Sequence, residues 1–173
     1  DVKRYSCIDT VLDEFRLQQN LNRLVEWAKI WKLSVSISKC STLQIGSHRK
    51  TTAVPAASFV SYRQISNHEY VNDLGVVIDD HLRFSSHINN VIRKAHARYS
   101  LILKCFQSRH MDCLVRAYTT HVRPLLEYNS SLWSPHCVKY DICALESVQK
   151  RFSKKLPALH DLSYLERLQR LNL

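Results

Sequence analysis

Glycine occurs at only two of 173 positions, Gly46 and Gly75, and that scarcity constrains the fold more than any other feature. Left-handed backbone falls mostly to glycine, so a protein built from many tight hairpins is hard to make from this chain. Four prolines add few further breaks, and helices are expected to dominate. The length is enough to bury a core, as one domain or as two small ones.

Periodicity fills in the elements. Thr10 and Asp13 form a capping-box signature, and Leu17, Leu21, Leu24, Ala28 and Trp31 follow at helical spacing, which predicts a helix to about Trp31. Leu33, Val35 and Ile37 alternate with serines and predict a strand running to Lys39 and Cys40. Thr42 to Ile45 reads as another strand, ended by Gly46, and the polar stretch 47–58 as a loop. Phe59 to Ile65 and Leu74 to Ile78 are expected to be extended.

From Ser85-Ser86, good N-cap residues, the character changes. Ile88, Val91, Ile92, Ala95, Tyr99, Ile102 and Phe106 form one apolar helical stripe. Further helices are expected from Met111 to Val122, stopped by Pro124, and from Asp141 to Leu156, ended by Pro157. Ser163 and Glu166 cap a last one. The class is α+β: a mixed part over residues 1–85, then an all-helical part over 86–173. Trp27, Trp31 and Trp133 fall where core packing explains them.

The formal charge of +10 favours a polyanionic partner, nucleic acid first and an anionic membrane surface second. The membrane reading is the weaker, because the basic helices expose no broad apolar face. No apolar run approaches the roughly 18 residues of a span, and no signal peptide opens the sequence. Six cysteines without a C-x-x-C pair read as reduced thiols, hence an intracellular protein, nuclear or cytoplasmic. His136, Cys137 and Cys143 fit no usual zinc spacing.

The Asp79-Asp80 pair in VVIDDHL draws attention, because two-metal phosphoryl transfer needs converging carboxylates. A third carboxylate must then arrive from another strand. Asp9, Asp13 and Asp73 do not sit inside apolar strands, and a helix start follows the pair. Aspartates are common in turns, where they bond their own backbone, and a turn is the reading the residues favour.

Several stretches carry a family resemblance, in order along the chain. LQQNLNRLVEWAKIWKLSVSISKCSTLQIG resembles the segment following the catalytic aspartate box in reverse transcriptases of non-LTR, jockey-like retrotransposons. VNDLGVVIDDHLRFSSHI resembles the hairpin that comes next. HVRPLLEYNSSLWSP, LESVQKRFSKKL and SYLERLQRLNL resemble the family's C-terminal landmarks. The resemblance implies a partial polymerase palm over 1–85, helix plus antiparallel strands, with a primer-grip-like hairpin at about 70–85, followed over 86–173 by a helical thumb and the connection region after it. It also implies an RNA template, a DNA primer, Mg2+ as the cofactor of the whole enzyme, and a palm and fingers encoded upstream.

On that alignment Asp1 falls on the second aspartate of the box, as a catalytic metal ligand. Lys39 matches the lysine thought to protonate departing pyrophosphate; its bland reading is a solvated charge at a strand end. The family usually has asparagine where Ser36 stands. Leu74-Gly75 matches the family's L-G pair, where backbone would approach the primer, or where glycine merely serves a bulge or a tight strand crossing. Asp79 and Asp80 would occupy the outer turn of that hairpin.

The apolar stripe must face sister helices, which leaves Arg93, Lys94, Arg98 and Lys104 able to track phosphates or simply to solvate a helix face. Lys150, Arg151, Lys154 and Lys155 leave the same two readings open. With the first residue an aspartate and Met111 the sole methionine, the chain reads as a fragment that grips a duplex and is inactive alone. The alternative is a non-catalytic nucleic-acid-binding module, a transposon remnant or a domesticated protein.

Overall fold

The computed structural model describes residues 2–46, 59–60, 63–106, 110–134 and 138–173. Asp1, the 47–58 stretch, His136 and Cys137 lie outside the described residues. The chain divides into two compact units, Asp1–Val71 with Asp79–Leu82, and Asn72–Ile78 with Arg83–Leu173. Helices and short strands make an α+β chain.

The first unit is organised by α1 (Val11–Ile30). The Asp13 carboxylate accepts from the Thr10 backbone N–H at 3.1 Å and from its hydroxyl at 2.7 Å, which satisfies the helix start. At the other end Leu33 N–H donates to the Ala28 carbonyl and Lys32 N–H to Lys29, with Lys32 at φ 54°. That is a Schellman stop with lysine where glycine is usual. Leu17, Leu21 and Leu24 are half-buried and Ala28 is buried. Trp27 and Trp31, expected as core anchors, are instead 48% and 65% exposed. The apolar stripe is wider than the surface available to cover it within this unit.

The strand predicted from Leu33 to Lys39 does not form. Irregular backbone leads into a 3-10 turn, Ile37–Lys39. The serines that made the alternating pattern explain the difference. Ser36 and Ser38 hydroxyls bond each other at 3.2 Å, Cys40 Sγ donates to the Ser36 carbonyl, and Lys39 N–H closes onto the same carbonyl. Local bonds of this kind compete with a strand ladder. Strand β1 (Ser41–Leu43) follows and pairs in parallel with β4 (Ser66–His68). Between them β2 (Phe59–Val60) and β3 (Arg63–Gln64) pair antiparallel.

Strands β5 (Tyr70–Asp73) and β6 (Val76–Asp79) form a two-stranded sheet. A two-residue connection, Leu74-Gly75, forces them antiparallel. Leu74 at φ 47° and Gly75 at φ 88° make it a type I′ turn, which needs positive φ at both central residues. The hairpin's turn is therefore Leu74-Gly75, and Asp79-Asp80 lies at its exit, not at its outer end as expected.

The second unit is a helical bundle. Helix α2 (Ser85–Cys105) packs on α3 (Met111–His121), α4 (Arg123–Glu127) and α6 (Lys139–Lys154), and α7 (Tyr164–Leu171) packs on α6. A short α5 (Ser130–Trp133) carries the buried Trp133. The predicted α2 stripe is buried at Ile88, Val91, Ala95, Tyr99 and Ile102, while Ile92 is half-buried and Phe106 partly exposed. Tyr99, Tyr118, Val122, Val148, Phe152, Leu156 and Leu159 complete the core. Tyr118 and Phe152 stack with centroids 4.2 Å apart, and Tyr99 meets Phe152 edge-on at 6.1 Å.

Two starts differ from expectation. The residue before α2 is Phe84, in left-handed backbone and with no side-chain cap. Ser85 is the first helical residue, and its hydroxyl donates at 2.9 Å to Asp141, a fully buried carboxylate in the first turn of α6. The helix expected to stop before Pro124 does so, at His121, and an unforeseen start follows, α4, with Pro124 in its first turn, where a missing N–H costs nothing.

Candidate nucleic-acid interface

The basic face of α2 follows from its periodicity. A 21-residue helix runs about 31 Å, close to one turn of duplex. With Ile88, Val91, Ala95, Tyr99 and Ile102 buried, Arg93 and Lys104 lie about half a turn away, and Lys94 and Arg98 flank the stripe on one side. All four are exposed. Arg93 Nη2 donates to Asn90 Oδ1 at 3.0 Å, and no ion pair neutralises any of the four among the described residues. They span about 16 Å of helix. Lys104 also borders a groove it shares with Lys155 at the end of α6.

The hairpin tip is fastened to the bundle by a segment that periodicity alone did not assign. Tyr128, just after α4, donates its hydroxyl to the Leu74 carbonyl at 2.9 Å. Its ring edge lies 3.6 Å from where a Cβ on Gly75 would stand. Trp133 Nε1 donates to the Tyr128 carbonyl at 2.8 Å, and its ring packs with Val76 and Ile88. A large apolar residue in left-handed backbone is costly, yet the Leu74 side chain is 64% exposed. We expect Leu74→Asn to stabilise the hairpin by about 0.5–1 kcal/mol, since asparagine tolerates this conformation. A thermal melt with an unchanged or lower midpoint would contradict the turn assignment.

His87 holds the other strand. It is buried beside Trp133, with ring centroids 5.3 Å apart. Its Nδ1 accepts from Val77 N–H at 3.2 Å, so the neutral ring carries its proton on Nε2, which is buried without an acceptor. Burial first, and the Lys94 charge second, hold its pKa below the usual 6.5. Protonation would set a new N–H against that of Val77. The unfolded chain therefore binds the proton more readily, and stability is expected to fall as pH drops from about 7 through the ordinary histidine range. His96 shifts in the same direction, through burial and then Arg151 and Lys155. Urea midpoints measured across this range should fall less steeply in His87→Gln, which keeps an acceptor for Val77. Equal slopes would refute the role.

The remaining residues singled out by sequence are not drawn into a carboxylate cluster. Asp79 Oδ1 accepts from His81 N–H at 3.1 Å, and Asp80 Oδ1 lies 2.7 Å from His81 Nδ1. Asp80 N–H donates to the Glu69 carbonyl, and the Asp80 carbonyl accepts from Gly46 N–H. The pair builds a turn by bonding its own surroundings. Lys39 is exposed at the end of its 3-10 turn, not on a strand. Among the described residues no group of three His, Cys, Asp or Glu side chains could hold a metal ion. Asp1, the metal ligand that the resemblance implies, lies outside the described residues. Cys7, Cys40, Cys105, Cys113 and Cys143 are free thiols, and no described helix is long and apolar enough to cross a membrane.

Over 120 residues, 68% of its length, the chain is 28% identical to the RNA-directed DNA polymerase from mobile element jockey of Drosophila melanogaster. Over 141 residues it is 21% identical to the probable RNA-directed DNA polymerase from transposon X-element of the same fly. An uncharacterized Caenorhabditis elegans protein is 30% identical over 86 residues, half of this chain and 43% of that one. The chain spans 13% of the jockey protein and 15% of the X-element protein. No protein-family model and no solved structure matches it.

Proposed function

From the premise that this chain is homologous to the reverse transcriptases of jockey-like non-LTR retrotransposons, we propose that it grips a primer–template duplex for such a polymerase. In this reading residues 86–173 act as a thumb and the start of the region that follows it, and Arg93, Lys94, Arg98 and Lys104 lie along phosphates. The hairpin tip, Leu74-Gly75, rests against the primer strand. The observation that carries the reading is a set of exposed, unneutralised cations, Arg93 and Lys104 opposite the buried stripe and Lys94 and Arg98 along its flank, on a helix as long as a duplex turn. Phosphate contacts position a duplex without reading its sequence.

The chemistry belongs to carboxylates supplied by the rest of the polymerase, with magnesium as their ion, and Asp1 and Lys39 would serve only within that whole. The purified chain is accordingly inactive in primer extension. It binds RNA–DNA hybrids of unrelated sequence with constants agreeing within about threefold, as backbone contacts require. Metal-dependent extension, or a strong preference for one sequence, would refute the proposal.

A second reading, a free-standing binding module, is favoured by the Caenorhabditis elegans relative, in which the matched stretch makes up 43% of the protein. Both readings use the same basic face. They part on whether a palm encoded upstream in the same frame restores extension.

A further inference from the structure

The groove between α6 and α7 gathers more positive charge than the fold itself needs. Lys150, Arg151 and Lys154 stand on one side of α6, and Tyr164 and Arg167 face them from α7 around a space of ≈ 450 Å³. Arg167 is only 4% exposed. One of its donors reaches the Leu162 carbonyl at 3.2 Å, and its Nε is buried with no acceptor. A guanidinium presents five donors, and burying one without a counter-charge is unfavourable.

The nearby carboxylates already accept other hydrogen bonds. Glu146 accepts from the Tyr164 hydroxyl, and Glu166 closes the α7 capping box on Ser163 N–H at 2.7 Å. No ion pair reaches Lys150, Arg151, Lys154 or Arg167 among the described residues. The Tyr164 ring compensates in part, with Lys150 Nζ 5.9 Å and the Arg167 guanidinium 5.6 Å from its centre. What this arrangement lacks is an anion with several acceptor oxygens.

We propose that the groove is a phosphate-binding site that holds a phosphodiester of a nucleic-acid strand, separate from the basic face of α2. Arg167 binds one phosphate from below, and Lys150, Arg151 and Lys154 follow the strand along α6. Charge complementarity selects the occupant. The chain carries +10 overall, and Lys104 and Lys155 border another groove. The site does not depend on the α2 assignment: charge reversal on α2 that leaves binding intact would sink the duplex-grip reading and leave this one standing.

The test uses the whole chain and a labelled B-form DNA duplex. Reversal of the three exposed α6 residues (Lys150→Glu, Arg151→Glu, Lys154→Glu) is expected to lower affinity at least about tenfold near 0.1 M salt and to flatten the log–log salt slope by about 2.7. In parallel, the Arg167 Nε–H resonance should shift on adding duplex, an outcome that requires no variant. Inorganic phosphate alone should shift it only at far higher concentration. A resonance unmoved by duplex, an unchanged slope, or saturation by free phosphate as readily as by duplex would each overturn the proposal.

Discussion

Phe152→Ala is expected to cost the helical unit about 3–5 kcal/mol, the range for removing a large buried aromatic. Phe152 is fully buried, stacked on Tyr118 and edge-on to Tyr99. Those three rings come from α6, α3 and α2, so one truncation loosens three helices. A domain has only about 5–15 kcal/mol in hand, and the variant should melt far earlier or fail to fold. Its partner gives the opposite sign. The Tyr118 hydroxyl is buried without a hydrogen bond, and burial pushes its pKa up to about 12. Tyr118→Phe keeps the stack and removes the unmatched group, a change worth roughly 1 kcal/mol of added stability. Urea unfolding of the two variants should move in opposite directions. A shift below about 1 kcal/mol in Phe152→Ala would mean that the core is not packed as described.

The second large effect is on binding. Reversing Arg93, Lys94 and Arg98 to glutamate should weaken duplex affinity on the order of a hundredfold at about 0.1 M salt, since three phosphate contacts become repulsive. The loss should be equal for duplexes of different sequence, because such contacts carry no sequence information. Stability should hardly change: all three side chains are exposed, and none is in an ion pair among the described residues. A thermal melt separates the effects. A variant that binds poorly and melts normally has lost charge, whereas one that melts early has lost structure.

Much of the helical architecture is legible in the residues. The α2 stripe, the Thr10–Asp13 box and the Ser163–Glu166 box each combine apolar spacing with a cap, and two agreeing local signals leave little room for another outcome. Reading fails where a tertiary contact or a local hydrogen bond overrides the pattern. Ser85 looks like a cap because serine usually is one, but its hydroxyl is drawn to Asp141, whose burial no local rule anticipates. The serines around Ile37 produce an alternation that resembles a strand while their own bonds close a 3-10 turn. Asp79-Asp80 is the most turn-like pair of the hairpin region, yet the tight turn falls on Leu74-Gly75, with a leucine in a conformation it seldom adopts.

The candidate interface was legible to a different degree. Arg93, Lys94, Arg98 and Lys104 can be placed outside the buried stripe from helical period alone, the first and last opposite it and the other two along its flank. Tyr128 could not be found that way. Its function is a hydroxyl reaching 54 residues back to the Leu74 carbonyl, and the only sequence signal is its neighbourhood to a tryptophan that needs an acceptor. Arg167 was hidden for the opposite reason. It reads as an exposed helix arginine, and only packing shows that it is buried without a counter-charge.

In the proposed function the exposed cations on α2 lie on nucleic-acid phosphates. The most direct measurement is the slope of log affinity against log salt for a B-form duplex, compared between the unaltered chain and the Arg93, Lys94, Arg98 reversal. Three contacts at about 0.9 each predict slopes differing by about 2.7. Parallel lines, with the duplex held equally well by both proteins, would contradict the account.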